Sequence, residues 1–238
     1  MDEVIRIRDL SFAYPDGRQA LVGISLVIRR GESVALIGPN GAGKSTLLLH
    51  LNGLLDGSGR VEVLARAVDE KSIREIRRKI GLVFQNPDDQ LFSATVFDDV
   101  AFGPLNLGLT EEEVRRAVAG ALAQVGMAGY EMRSPHHLSL GEKKRVAIAT
   151  ILSMGPEVMV MDEPTSNLDP GAKWQLVQLL RGLGVTRVIA THDLELVRAL
   201  CRRVILLDGG RIIADDSADR ILADRSLLAA HGLAGPEQ

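Results

Sequence analysis

Gly38-Pro39-Asn40-Gly41-Ala42-Gly43-Lys44-Ser45 is the segment of this 238-residue chain whose spacing states its chemistry most directly. It fits G-x-x-x-x-G-K-[ST], with an unbroken apolar run before it and a leucine-rich helical pattern after it. Its glycines let the backbone curl so that successive N–H groups face one anion, and the start of the next helix adds a positive dipole end. Lys44 then suits the β- and γ-phosphates of a nucleotide and the Ser45 hydroxyl suits Mg²⁺, with Thr46 next in the phosphate-binding turn. A second set of groups stands farther along. Val158-Met159-Val160-Met161 runs into Asp162-Glu163, a buried strand ending in two acids at the edge where a phosphate loop sits. Asp162 suits Mg²⁺ held through water, and Glu163, projecting differently, suits polarising an attacking water. Thr191-His192-Asp193 ends the next apolar run and presents His192 to the same edge.

These groups need a parallel sheet to carry them. Residues 33–37, 80–84, 158–161, 187–190 and 204–207 are apolar runs without polar alternation, the pattern of strands covered on both faces. Helical periodicity lies between them at 44–55, 111–125, 141–154, 171–183 and 194–200. Thr110 before Glu111-Glu112-Glu113 marks a helix start, with a capping hydroxyl and acids at the positive dipole end. Residues 4–8 and 21–26 alternate partially around Pro15-Asp16-Gly17, which predicts an antiparallel hairpin, and Gly209-Gly210 predicts another between 204–207 and 211–214. From 87 to 155 the pattern is mostly helical, so a helical insertion interrupts the α/β core.

These pieces, in this order, resemble the nucleotide-binding subunit of an ABC transporter, over about Ile5 to Ala214. Leu138-Ser139-Leu140-Gly141-Glu142 is similar to the family's signature loop, Gln85 to its glutamine loop, Asn167-Leu168-Asp169 to its D-loop, His192 to its switch histidine and Tyr14 to its adenine-stacking aromatic. The resemblance implies a P-loop NTPase of the α/β class: one domain over 1–238, with a RecA-like core and antiparallel β subdomain in about 1–86 and 156–238, and a helical subdomain in about 87–155. It implies ATP bound by Tyr14, by Gly38 to Thr46, and by Ser139, Gly141 and Asp169. Ser45, Gln85 and Asp162 are then the Mg²⁺ residues, and Glu163, His192 and Gln85 the catalytic ones. Leu140 and Glu142 depart from the common Leu-Ser-Gly-Gly-Gln, whereas Ser139 and Gly141, the groups expected at the γ-phosphate across a dimer, are kept. A full motif set in one chain implies a homodimer enclosing two ATP molecules head to tail.

Asn86-Pro87-Asp88-Asp89-Gln90-Leu91-Phe92, leading into Phe97-Asp98-Asp99-Val100, looks like the ATPase of energy-coupling-factor importers, and most like those for cobalt and nickel. That likeness implies a transmembrane scaffold whose coupling helices dock here, a separate membrane component that binds the ion, and a peripheral place on the cytoplasmic face of the membrane. Leu91, Phe92, Val96 and Phe97 are the expected anchors. Other vitamin importers of this type and non-transport scaffold ATPases share the core motifs. Asp88, Asp89, Asp98 and Asp99 are expected to form a solvated loop rather than a metal site. His136-His137 point apart and lack further ligands, and Cys201 is expected to be a small buried helix residue. Lys plus Arg number 28 against 31 acids, and aromatics are 3 %, a balance that argues against nucleic acid as partner. The N-terminus lacks the order of a secretory signal, and no apolar stretch nears the ~20 residues that span a bilayer.

Overall fold

A computed structural model describes residues 2–233. The first hairpin forms as its alternation predicts: β1 (Glu3–Ala13) pairs antiparallel with β2 (Gln19–Arg29). β3 (Ser33–Ile37) leads into the phosphate loop and α1 (Lys44–Leu51). α1 stops short of the expected Leu55, because the chain turns at Asn52 and Gly53, the latter at φ 63 where a side chain is strained. β4 (Ser58–Val63) and β5 (Arg66–Ala67) then extend the first sheet to the order β2-β1-β4-β5. Neither strand was expected, since Ser-Gly-Arg-Val-Glu-Val is too polar to register as an apolar run.

After α2 (Ile73–Arg77) comes β6 (Ile80–Val83). Three helices follow: α3 (Val96–Asn106), α4 (Glu111–Gln124) and α5 (Leu140–Leu152). Thr110 caps α4 in a capping box with Glu113, as the sequence predicts. β7 (Val158–Asp162), α6 (Pro170–Gly182), β8 (Thr186–Ala190), α7 (Leu194–Leu200) and β9 (Arg203–Asp208) continue the alternation. β10 (Arg211–Ser217) turns back at Gly209-Gly210, and α8 (Ala218–Ala223) and α9 (Arg225–Ala230) close the described chain; neither of these helices was expected.

The second sheet has the order β10-β9-β3-β8-β7-β6, parallel except for β10. The apolar runs are explained by its two covered faces. Val34 and Leu36 of β3 point into a core shared with the first sheet and α1, while Ala35 and Ile37 point into a core shared with α5, α6 and α7. On β6, α5 approaches so closely that a Cβ on Gly81 would lie 1.8 Å from Ile151 Cγ2, which leaves room for glycine alone. Among the described residues no helix is long and apolar enough to cross a membrane.

Two expectations need correction. Cys201 is buried but lies one residue past α7, where its extended backbone ends the helix. Leu91 and Val96 are not surface anchors: they sit in the core beneath α3, 4 % and 0 % exposed. Phe97 is partly buried against the same core, so of the four only Phe92, at 65 %, is presented outward. Apolar spacing marked the segment but not its inside. Leu91→Asp is therefore expected to cost more than about 3 kcal/mol by burying a carboxylate without a partner. Phe92→Asp should stay within about 0.5 kcal/mol of the parent, as surface changes do. Denaturant unfolding of the two variants checks this; equal midpoints would contradict the placement.

Candidate functional site

The carboxyl ends of β3, β7 and β8 stop at one level, with Ala190 in register with both Leu36 and Asp162. Past that level Thr191 N–H donates to Leu36 O at 3.0 Å and Glu163 N–H to Ala190 O at 2.9 Å, so the loops leave the sheet already tethered. The cleft above them has a volume of about 320 Å³ and gathers Tyr14, the phosphate loop from Asn40 to Thr46, Gln85, Asp162, Glu163 and His192. Those residues come from five separate stretches of sequence, and the structure brings them together. Gly38 and Pro39 do not line it; their carbonyls accept from Lys44 Nζ at 2.7 and 3.0 Å.

Local backbone explains the glycines that matter. At Gly43, φ is 101 and a Cβ would lie 2.4 Å from Ala20 O; at Gly41, φ is 81 with nothing within 4 Å. Burial lowers the Lys44 ammonium from its usual range, with Glu163 and Asp162 opposing that shift. Burial likewise raises the Asp162 carboxyl, against a hydrogen bond from Ser45. An anion at Lys44 and a cation at Asp162 would each relieve what burial penalises.

Glu163 is 8 % exposed and has φ 44, a left-handed conformation that a residue with a Cβ holds only when its surroundings impose it. Oε2 accepts from Thr191 Oγ1 at 3.1 Å, Oε1 accepts from the His192 backbone N–H at 3.0 Å, and His192 Nδ1 lies 2.8 Å from the same Oε1. A carboxylate held in this way beside a phosphate loop can accept a proton from a water bound there. Tyr14 is fixed from two sides: its hydroxyl is 2.9 Å from Thr46 Oγ1, and the Phe12 ring meets it edge-on at 5.0 Å. The Arg18 guanidinium lies 4.9 Å from the Tyr14 ring centroid.

Ser139, Gly141 and Asp169 are elsewhere. They line a separate cleft of about 370 Å³, formed where α5 and α6 begin, which shares no residue with the first. Ser139 caps α5, and its Oγ donates to Glu142 Oε2 at 2.8 Å while Tyr130 donates to Oε1 at 3.0 Å. The departure Glu142 thus closes a capping box, and its carboxyl is held low chiefly by the Ser139 backbone N–H. Asp169 caps α6 by accepting from Gly171 and Ala172 N–H at 2.9 and 3.0 Å.

The expected solvated loop holds only for the exposed Asp88 and Asp89: Asp98 and Asp99 belong to the first turn of α3, where Asp99 turns inward. Asp88 pairs with Lys143 at 2.6 Å, Asp98 accepts from Thr95 Oγ1, and Asp99 is buried and accepts from Phe92 and Ser93 N–H. Among the described residues no three His, Cys, Asp or Glu side chains come together as a metal-ligand set. Sequence reasoning missed three positioning groups. Gln90 donates to Ala147 O and Thr150 Oγ1, both at 2.8 Å, and so fastens the Gln85 segment to α5. Asp193 accepts from Thr165 Oγ1 at 2.9 Å and pairs with Lys173, linking the loop before α6 to the loop before α7. Lys144 donates to Glu163 O. No local pattern around these polar side chains gives a sign of partners so distant in the sequence.

A family model described as ABC transporter matches residues 21–166. The energy-coupling factor transporter ATP-binding protein EcfA of Methanothermobacter thermautotrophicus is 53 % identical over 98 % of this chain and 77 % of its own. EcfA of Carboxydothermus hydrogenoformans is 48 % identical over 99 % and 88 %. Among solved structures, cbiO1 of Clostridium perfringens, described as part of the ABC transporter complex cbiONQ, superposes with a TM-score of 0.85 at 40 % identity, covering 98 % of this chain and 96 % of its own. The ATP-binding cassette MJ0796, in a dimeric post-hydrolysis state with ADP and Pi, gives 0.81 at 29 % identity over 90 % and 98 %.

The two glycines separate strain from collision. Gly41→Ala should cost about 1 kcal/mol, from the left-handed backbone alone. Gly43→Ala adds the contact with Ala20 O and should lower the melting temperature further while abolishing nucleotide binding. Thermal unfolding and binding of a fluorescent ATP analogue check both, and equal behaviour of the two variants would contradict the geometry of the loop.

Proposed function

This chain belongs to the ABC transporter family and is an ATPase of that family, and we propose that it is the motor subunit of an energy-coupling-factor importer. The observation that carries the motor reading is Glu163, oriented by His192 at 2.8 Å within the phosphate-loop cleft. The importer class is supported by the relatives named EcfA, which match nearly the whole chain. The proposed cargo is a cobalt or nickel ion, supported by the likeness of 86–104 to such systems and by the cbiO1 neighbour.

In this reading the loop amides and Lys44 take the β- and γ-phosphates of ATP, and Tyr14 stacks on the adenine. Ser45, Asp162 and Gln85 offer hard oxygen donors in one cleft, and the burial that raises Asp162 suits a divalent cation, so this set fits Mg²⁺. Bound there, Mg²⁺ neutralises charge on the phosphate oxygens. Glu163 accepts a proton from the attacking water as its oxygen bonds to the γ-phosphorus and the bond to ADP breaks. His192 holds the carboxylate in line.

Because Ser139 and Gly141 open a cleft of their own, they serve the nucleotide of a second copy of this chain. Two chains then close head to tail on two ATP molecules, and hydrolysis releases them. Residues 87–155 act as a helical subdomain on a core built from 1–86 and 156–238. Its outward apolar face, with Phe92 and Phe102 edge-on at 5.2 Å beside a cleft of about 820 Å³, receives the coupling helices of a transmembrane scaffold. That docking places the subunit peripherally on the cytoplasmic face, with the ion carried by a separate membrane component.

Two outcomes are expected. Glu163→Gln should cut hydrolysis by about 10³-fold or more, since the amide is no base. It should still bind ATP and elute as a dimer with Mg-ATP; a monomer turning over normally would contradict both base and pairing. Phe92→Asp with Phe102→Asp should end co-purification with the scaffold and cobalt or nickel uptake in cells, while ATP binding by the isolated subunit is kept. Uptake at the parental rate would contradict the docking face, and uptake of neither ion by the unmodified transporter would contradict the cargo.

A further inference from the structure

Lys143-Lys144-Arg145 reads as a basic solvated stretch, yet its middle residue is 4 % exposed. A lysine is seldom buried without a carboxylate partner, because removing the ammonium from water is costly. Burial draws Lys144 down to about 8, with the Glu163 and Asp162 carboxylates opposing that shift, yet among the described residues no carboxylate oxygen lies within 4.0 Å of its Nζ. Instead it donates to Glu163 O at 3.0 Å and lies 3.0 Å from Ser166 Oγ, which itself donates to the same carbonyl at 2.9 Å. Ammonium and neutral amine both carry these donors, so the link does not depend on the charge.

The target of that link is the strained point of the site. Glu163 sits at φ 44, and a left-handed residue other than glycine persists only where neighbours fix it. Thr191 and His192 fix its carboxylate from the end of β8; Lys144 and Ser166 fix its carbonyl from the other side. Lys144 also stands on α5, five residues after the capping Ser139 and so about 7.5 Å along the same helix axis.

We propose that Lys144 is a positioning residue for ATP hydrolysis, pinning the carbonyl of Glu163 from α5 and so holding the carboxylate of that residue against His192. The proposal rests on reading Glu163 as the base and Ser139 as the group that meets the partner's nucleotide. On that reading the base of one site hangs from the helix whose first turn touches the other nucleotide, and a single side chain connects the two sites.

The test measures steady-state ATP hydrolysis by the full chain. Lys144→Met keeps the length of the side chain without its donors, Ser166→Ala removes the companion bond while leaving every residue of α5 in place, and Lys144→Arg keeps donors. Met and Ala should each lower kcat at least about tenfold while the KM for ATP stays within about twofold, and Arg should restore most of the rate. Added to Glu163→Gln, Lys144→Met should leave the Mg-ATP dimer intact in sizing chromatography. Parental kcat in both Lys144→Met and Ser166→Ala would overturn the proposal. So would loss of the dimer in the double variant, which would assign Lys144 to holding α5 itself. Should Lys144→Met fail to fold, Ser166→Ala alone decides, and parental kcat there overturns the proposal. Failure of the underlying reading shows separately, as Glu163→Gln hydrolysing ATP normally, and it removes the proposal as well.

Discussion

Three parallel strands end at one level, and the chemistry of this molecule depends on that level. Leu36, Ala190 and Asp162 lie in register across β3, β8 and β7. Asp162 ends β7 and meets Ser45, while Glu163 leaves the strand at φ 44 and is turned toward Thr191 and His192. A slip of one residue would move both acids off that level and separate them from their partners. Such a slip is prevented by burial: both faces of the sheet are packed, so any shift would drive apolar side chains into the wrong core.

Helix starts are the second device. Ser139, Asp169 and Asp193 cap α5, α6 and α7, so the side chains that hold the helices also shape the loops of the two clefts. Preorganisation of this kind has a consequence at Ser139. Its hydroxyl proton already goes to Glu142, and in the proposed pairing a phosphate arriving from a second chain must take it over. Asp193 extends the same logic between loops, because Thr165 and Lys173 meet on it from the α6 side. The proposed pairing of two chains thus meets surfaces that are already ordered, and ordering entropy opposes it less.

Legibility in the sequence follows burial. The strands of the parallel sheet are plain because two covered faces forbid polar alternation, and Gly38 to Thr46 is plain because close backbone approach demands glycine. β4 and β5 escaped notice because an edge sheet with polar residues looks like a loop. The burial of Leu91 and Val96 is not legible, because a short apolar cluster does not announce which members turn inward. Lys144 is the hardest residue to read. Its type and neighbours indicate solvent, and the carbonyl of Glu163, nineteen residues away, with the Ser166 hydroxyl beside it, explains its burial. The joining of Ser139, Gly141 and Asp169 in a cleft apart from Lys44 is legible only through likeness to a family, since no local pattern encodes the proposed sharing of a site between two chains.

Complementation between two inactive variants tests that sharing most directly. Chains carrying Glu163→Gln and chains carrying Ser139→Ala are mixed in equal amounts before Mg-ATP is added, and phosphate release is followed. In a mixed pair, the intact Glu163 of one chain faces the intact Ser139 of the other, so one complete site forms. Random pairing then gives up to about a quarter of the parental rate, since half the pairs are mixed and one site in each is whole. A mixture no more active than either variant alone would contradict a site built from two chains.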